Sequence, residues 1–164
     1  IHTLGALVGA QDKAEVLAAS LQAKLNTVRA QAEELPRKPL VYFEEWDEPM
    51  ISGIRWVSEL VEIAGGVDVF PDLSRHKSAP ERIVTPDMVI AAAPDIIIGS
   101  WCGKKFVPGK VAARPGFEAI PAVRDGSLRE IKSPLILQPG PAALTDGLDA
   151  LAAIIRDWVE ARTA

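Results

Sequence analysis

Glu44-Glu45-Trp46-Asp47 places three carboxylates and an indole in four consecutive residues. Clustered carboxylates can raise one another's pKa and serve as acid and base, while an indole offers a flat apolar wall with a single N–H donor. A second stretch, Ser100-Trp101-Cys102-Gly103-Lys104-Lys105-Phe106, adds another indole, a hydroxyl, a thiol and two ammonium groups. Ser133-Pro134 is a third, sparser one. Aromatic area with few polar groups, carried by Glu45, Trp46, Asp47, Ser100, Trp101, Lys104, Ser133 and Pro134, suits a large, partly apolar ligand that is held without being transformed.

Each of these residues also has a plainer reading. Tryptophan closes sheet edges, loop acids are commonly just solvated, and Lys104-Lys105 fits a solvated turn. Cys102 reads as a small hydrophobe before a soft metal ligand, and His76 has no second ligand near it in sequence. Trp56 and Trp158 fall at helical spacing among apolar residues, which predicts core packing. The chain has no G-x-G-x-x-G, Walker loop, G-x-S-x-G or H-E-x-x-H signature, which weighs against an enzyme. A small doubly wound enzyme using Glu45, Asp47 and Lys104 as acid and base groups stays open as an alternative, as does a structural or partner-binding domain.

The elements that must position these groups are strands. Leu40 to Phe43 is apolar without alternation, which predicts a parallel strand covered on both faces, with Pro39 and Pro49 limiting its length. Asp95-Ile96-Ile97-Ile98-Gly99 runs into the second stretch and Leu128 to Lys132 into the third. In an open α/β sheet ligands sit beyond the carboxyl ends of the strands, so three such strands would deliver all three stretches to one edge.

Along the chain, Thr3 is predicted to cap a short helix over residues 4–8 that Gly9 ends, and Asp12 with Glu15 forms a capping pair for a long helix to Leu35. Leu17, Leu21, Leu25, Val28, Ala32 and Leu35 share one face of that helix, which would be about 36 Å long. It is either an ordinary cover for the sheet or a strut between two lobes. Residues 54–64 read as a helix ended by Gly65-Gly66, Val67 to Phe70 as an edge element, 71–81 as a polar surface loop and 82–84 as a brief strand. Thr85-Pro86-Asp87 is a strong helix start, with Asp87 complementing the helix dipole. Residues 100–125 form an irregular, ordered stretch with a helical turn near 110–114, and 142–161 a final helix. Strands alternating with helices predict an α/β fold: a single Rossmann-like lobe with a mainly parallel sheet flanked by helices, preceded by the long helix.

At 164 residues the chain suits one folded unit, and its single cysteine excludes an internal disulfide. Eighteen basic against 22 acidic residues leave a net charge of −4 and no basic stripe, which excludes nucleic acid as an obvious partner. No apolar run reaches the roughly 18 residues of a membrane span. The opening Ile1-His2-Thr3 lacks a start methionine and a signal-like segment, and reads as a mature product or an excised piece.

The order of long helix, Pro39-to-Phe43 strand, Gly65-Gly66, Arg82-to-Asp87 helix start, Ala93-to-Ile98 strand, irregular loop and final helix resembles the substrate-binding proteins of bacterial ABC importers for cobalamin and ferric siderophores. Glu44 to Asp47, Ser100 to Gly103 and Ser133-Pro134 resemble the cobalamin-binding branch. The resemblance covers only the C-terminal half of such a protein. It implies that residues 1–36 are the end of a first lobe and the linking helix, and 37–164 a C-terminal ligand-binding lobe. It also implies a corrinoid such as cobalamin, or a haem or siderophore chelate, as bound ligand rather than catalytic cofactor. Trp46 and Trp101 would face the cleft, with Ser133-Pro134 near the ligand and Asp87 docking on a membrane permease. The missing N-terminal lobe would be a further partner. The implied location is the periplasm or the extracellular face of the cytoplasmic membrane, with any lipid anchor on the absent N-terminal portion.

Overall fold

A computed structural model describes residues 1–163; residue 164, the end of the expected second domain, lies outside the described residues. The chain opens with α1 (His2–Leu7) and α2 (Gln11–Glu33), followed by β1 (Leu40–Asp47), β2 (Met50–Ser52), α3 (Arg55–Ile63), β3 (Val67–Asp68) and α4 (Pro71–Ser74). Then come α5 (Pro86–Ala92), β4 (Ile96–Gly99), α6 (Pro108–Ala112), α7 (Pro121–Arg124), β5 (Leu128–Glu130), α8 (Ser133–Ile136) and α9 (Asp146–Glu160). The fold is the α/β lobe that the alternation predicts, with a mainly parallel sheet and helices on both faces.

β1 is the organising strand. It pairs in parallel with β4, β4 with β5, and the start of β1 with β3. β2 adds an antiparallel edge that the sequence did not announce, because three residues after a turn carry too little pattern. Alternation along the central strands splits the core. Val41, Phe43, Ile96 and Ile98 pack with Val57, Leu60, Leu151, Ile155 and Trp158 on one face. Tyr42 and Ile97 pack with Trp101, Phe106, Val111 and Phe117 on the other. Both faces are covered, so both strands read as continuous apolar runs.

Local signals account for several boundaries. Thr85 Oγ accepts from the Met88 N–H at 3.3 Å, capping α5, and Ala93 ends that helix in the left-handed region with φ of 45°. Gly65 has φ of 95°, and a Cβ there would lie 2.8 Å from Leu35 Cδ1, so the close approach of the ends of α2 and α3 requires glycine. Other expectations differ. Thr3 lies inside α1 without a side-chain cap, and Glu15 pairs with His2 at 3.3 Å instead of capping α2. The polar segment 71–81 holds α4 and enters a 3-10 turn at Ala79–Arg82, while Ile83 forms only an isolated bridge with Ile51. The last helix begins later than expected, at Asp146, because Pro141–Leu144 is a separate 3-10 turn. Cys102 is exposed rather than buried.

Among the described residues no helix is long and apolar enough to cross a membrane.

Candidate functional site

Because β1, β4 and β5 are parallel, their carboxyl ends emerge on one edge, and with them the three stretches singled out in the sequence. The acids do not follow β1 as a loop; they are its last residues, and each has a different job. Glu44 points into the same core face as Tyr42 and is fully buried. Four donors converge on its carboxylate: Arg114 Nη1 and Nη2 at 2.6 and 2.9 Å, Tyr42 Oη at 3.0 Å and Trp101 Nε1 at 3.0 Å. Burial, with the Glu44 charge beside it, pushes the Tyr42 hydroxyl well above its ordinary value. Arg114 loses some basicity to desolvation, but the hydrogen bonds and charge of Glu44 more than offset this and raise its pKa.

Glu45 faces the opposite way. Its Oε1 accepts from the Ile54 N–H at 2.6 Å and its Oε2 pairs with Arg82 Nη1 at 2.8 Å, so both oxygens are engaged. Burial raises the Glu45 pKa above the usual carboxylate range in spite of Arg82 and the Ile54 N–H, which act to lower it. Arg82 also donates to the Ser52 carbonyl, and the Ser52 hydroxyl donates back to the Arg82 carbonyl at 3.0 Å. This pair ties the β1–β2 hairpin to the end of the 79–82 turn. Neither Glu44 nor Glu45 is left as a free base.

Trp46, Asp47 and Lys104 form the outer rim. Trp46 is half-buried, with its indole N–H donating to the Glu48 carbonyl at 2.9 Å. Lys104 forms an ion pair with Asp47, and its Nζ stands 4.2 Å from the Trp46 ring centroid and 5.4 Å from that of Trp101. Trp46 and Trp101 therefore share one cation. Trp101 itself is only 4% exposed and meets Phe106 edge-on at 4.9 Å, so it offers little of its surface outward. The Phe106 ring lies flush on the end of β4: a Cβ at Gly99 would sit 1.9 Å from Phe106 Cδ2. Phe106 N–H donates to Glu130 Oε1 at 3.0 Å, which fastens the loop to β5.

The other expected residues lie apart from this rim cluster. Ser100 is buried, its N–H donating to the Glu44 carbonyl at 2.9 Å and its hydroxyl unpartnered. Ser133 is buried and Pro134 exposed at the start of α8, and no hydrogen bond or ion pair among the described residues joins them to Trp46 and Lys104. Asp87 is exposed in the first turn of α5. His76 pairs with Glu81 at 3.6 Å. Trp158 is buried, with Arg37 and Arg162 over its ring at 5.3 and 4.2 Å, and Trp56 donates to the Ile136 carbonyl at 2.9 Å. Among the described residues no three His, Cys, Asp or Glu side chains cluster as a metal site. Three grooves lie away from the rim: one of about 660 Å³ is lined by Leu4, Val8, Leu17, Leu21 and Pro141, a neighbour of about 330 Å³ by Leu25, Trp56 and Ala143, and a polar one of about 470 Å³ by Arg55, Glu62 and Arg75. Sequence reading missed Arg114 and Arg82 altogether; the one available signal was that Glu44 continues the period-two alternation of Tyr42.

The mainly parallel sheet thus carries an aromatic and charged rim, its inner acids already satisfied, at the carboxyl edge, the edge where open α/β sheets place their ligands. A family profile described as periplasmic binding protein matches residues 1–135. The chain therefore belongs to the periplasmic binding protein family. No characterised protein sequence matches it at a significant level. Among solved structures it is similar to a possible iron-binding, periplasmic solute-binding protein from Staphylococcus epidermidis, with a TM-score of 0.79, 21% identity, and coverage of 94% of this chain and 59% of that one. A periplasmic heme-binding protein from Roseiflexus sp. RS-1 gives a TM-score of 0.73 at 23% identity, over 92% of this chain and 60% of that one. The periplasmic vitamin B12 binding protein of Vibrio cholerae gives 0.65 at 18% identity, over 92% and 55% respectively. The chain thus spans somewhat more than half the length of these relatives.

Proposed function

We propose that the chain is the C-terminal lobe, residues 37–164, together with the linking helix in residues 1–36, of a solute-binding protein that serves an ABC importer. It captures a corrinoid between this lobe and an N-terminal one, outside the cytoplasmic membrane, and delivers it to a membrane permease. The observation that carries this reading is the convergence of Trp46 and Trp101 on the Lys104 ammonium at the carboxyl edge, beside acids that are tied up in structural contacts. Family membership and a fold shared with proteins named for iron, haem and vitamin B12 binding support it. Trp46, Asp47 and Lys104 form the ligand-facing rim, Glu45, Ser100 and Trp101 stand behind it, and Ser133-Pro134, apart from this cluster at the start of α8, are assigned to the ligand by the resemblance alone. Asp87, exposed on α5, is the docking acid for this lobe. The engagement of both Glu45 oxygens gives no support to the acid/base enzyme as an alternative.

Titrating the intact protein with cyanocobalamin, and in parallel with haemin, while following tryptophan emission tests the reading. Saturable quenching by the corrinoid is expected, and Trp46→Ala should weaken it by about 2 kcal/mol, roughly 30-fold, as the loss of a buried aromatic anchor does. No saturable change with any corrinoid overturns the corrinoid assignment.

A further inference from the structure

Glu44 is saturated by donors from three separate parts of the chain, and one of them, Trp101, leads directly into the loop that carries Lys104. That loop is held at both ends. At its start the Ser100 N–H donates to the Glu44 carbonyl at 2.9 Å and the Trp101 indole to the Glu44 carboxylate at 3.0 Å. At its end Phe106 rests on Gly99 and against the Trp101 ring. Between these anchors Lys104 has, among the described residues, only Asp47 and the two indole faces as ion-pair or cation–π partners. The Glu44 carboxylate in turn depends on Arg114, among the described residues the one cationic donor to it, which arrives from beyond α6, 70 residues away. A two-pronged guanidinium on a fully buried carboxylate fixes orientation as well as charge.

We propose that Arg114, whose side chain is 17% exposed and spends both Nη groups on Glu44, is a positioning residue: through Glu44 it orients the Trp101 indole, and thereby sets the place of the Lys104 ammonium over Trp46. The inference deepens the proposed binding role, naming what aligns the ligand-facing cation. Removing the guanidinium leaves a buried carboxylate with two neutral donors, Tyr42 and Trp101, and frees the carboxylate to turn. The first consequence falls on the indole, the second on the loop that the indole anchors.

The test is NMR of the intact, unliganded protein, with cyanocobalamin binding as a separate arm. The Trp101 indole N–H resonance is identified by its loss in Trp101→Phe, and the Lys104 ε-methylene by its loss in Lys104→Ala. In the wild type the ε-methylene is expected upfield, shielded by the Trp46 ring. In Arg114→Met the indole resonance should move upfield and the Lys104 ε-methylene should return toward its solvent-exposed position, with Arg114→Lys, which can restore one prong, intermediate. Cyanocobalamin affinity should fall about tenfold, as modest misplacement of a contact group does. If Lys104 keeps its shielded position in Arg114→Met, Arg114 is structural only and the inference is wrong. If Arg114→Met does not fold, Arg114→Lys is read by the same criterion. If the wild type binds neither cyanocobalamin nor haemin, the transport reading fails, while the two resonances still decide the role of Arg114.

Discussion

Arg82→Met should destabilise the lobe in a way that depends on pH. The Arg82 side chain is 4% exposed and that of Glu45 13%, with 2.8 Å between their charged atoms, so the substitution leaves a buried carboxylate without its cation. Removing one member of a buried pair costs about 3–5 kcal/mol. Glu45 retains the Ile54 N–H at 2.6 Å, which places this case at the lower end. For a domain of this size a loss of about 3 kcal/mol lowers the melting temperature by roughly 6–12 °C. The pH dependence follows from the raised Glu45 pKa, where burial already outweighs Arg82 and the Ile54 N–H. Within the window between the ordinary and the raised value, the folded state binds the proton more tightly than the unfolded chain, so stability falls as pH rises. Without Arg82 the folded value rises further and the window extends upward. Thermal unfolding of the wild type and Arg82→Met should therefore differ less at pH 5 than at pH 8. The double variant with Glu45→Gln should lose less than the two single losses combined. A deficit that is the same at both pH values, or one below about 1 kcal/mol at pH 8, refutes the reasoning.

Gly99→Ala would set a Cβ 1.9 Å from the buried Phe106 ring, which has no free side to move toward. A loss of about 3 kcal/mol in urea unfolding is expected, recovered in part by adding Phe106→Leu; an unchanged midpoint would show that the loop does not rest on β4 as described. Asp87→Lys, on an exposed helix start, should change stability by less than about 1 kcal/mol and leave ligand affinity unchanged, yet abolish stimulation of the importer's ATPase. Full stimulation by that variant removes Asp87 from the proposed docking role.

How much of this was legible in the sequence divides by range. β4 and the first half of β1 were plain, because two covered faces demand apolar residues without alternation. The cap at Thr85 and the glycine stop after α3 were plain as well, since each is written in adjacent residues. The last half of β1 was not, because Glu44 and Glu45 look like loop acids until their partners are known. Those partners are Arg114 and Arg82, 70 and 37 positions away, and no local period marks a guanidinium as the one that will meet a given carboxylate. The same blindness made Trp101 look like an outward wall. Its burial follows from Glu44 accepting its N–H and Phe106 closing over the strand end. The sequence thus indicated which strand ends and chain segments meet at the carboxyl edge, whereas the division of labour among the acids there needed three dimensions.

The long helix shows what a one-lobe view leaves unexplained. Its expected apolar stripe runs from Leu17 to Leu35, yet within the helix only Ala14, Leu21, Val28 and Ala32 are buried, and Val16 and Leu17 stay 70% and 42% exposed. Leu4, Leu7 and Val8 of the preceding segment are 67–77% exposed, and Leu4, Val8 and Leu17 line the 660 Å³ groove. An apolar face of this kind is costly to leave in water and fits permanent cover, whereas the Trp46–Lys104 rim, with its ion pair and half-open indole, fits a contact that is made and broken. On the two-lobed reading proposed above, the exposed α1–α2 face and the Trp46–Lys104 rim are therefore two distinct surfaces, the first suited to lasting apolar cover and the second to a reversible contact.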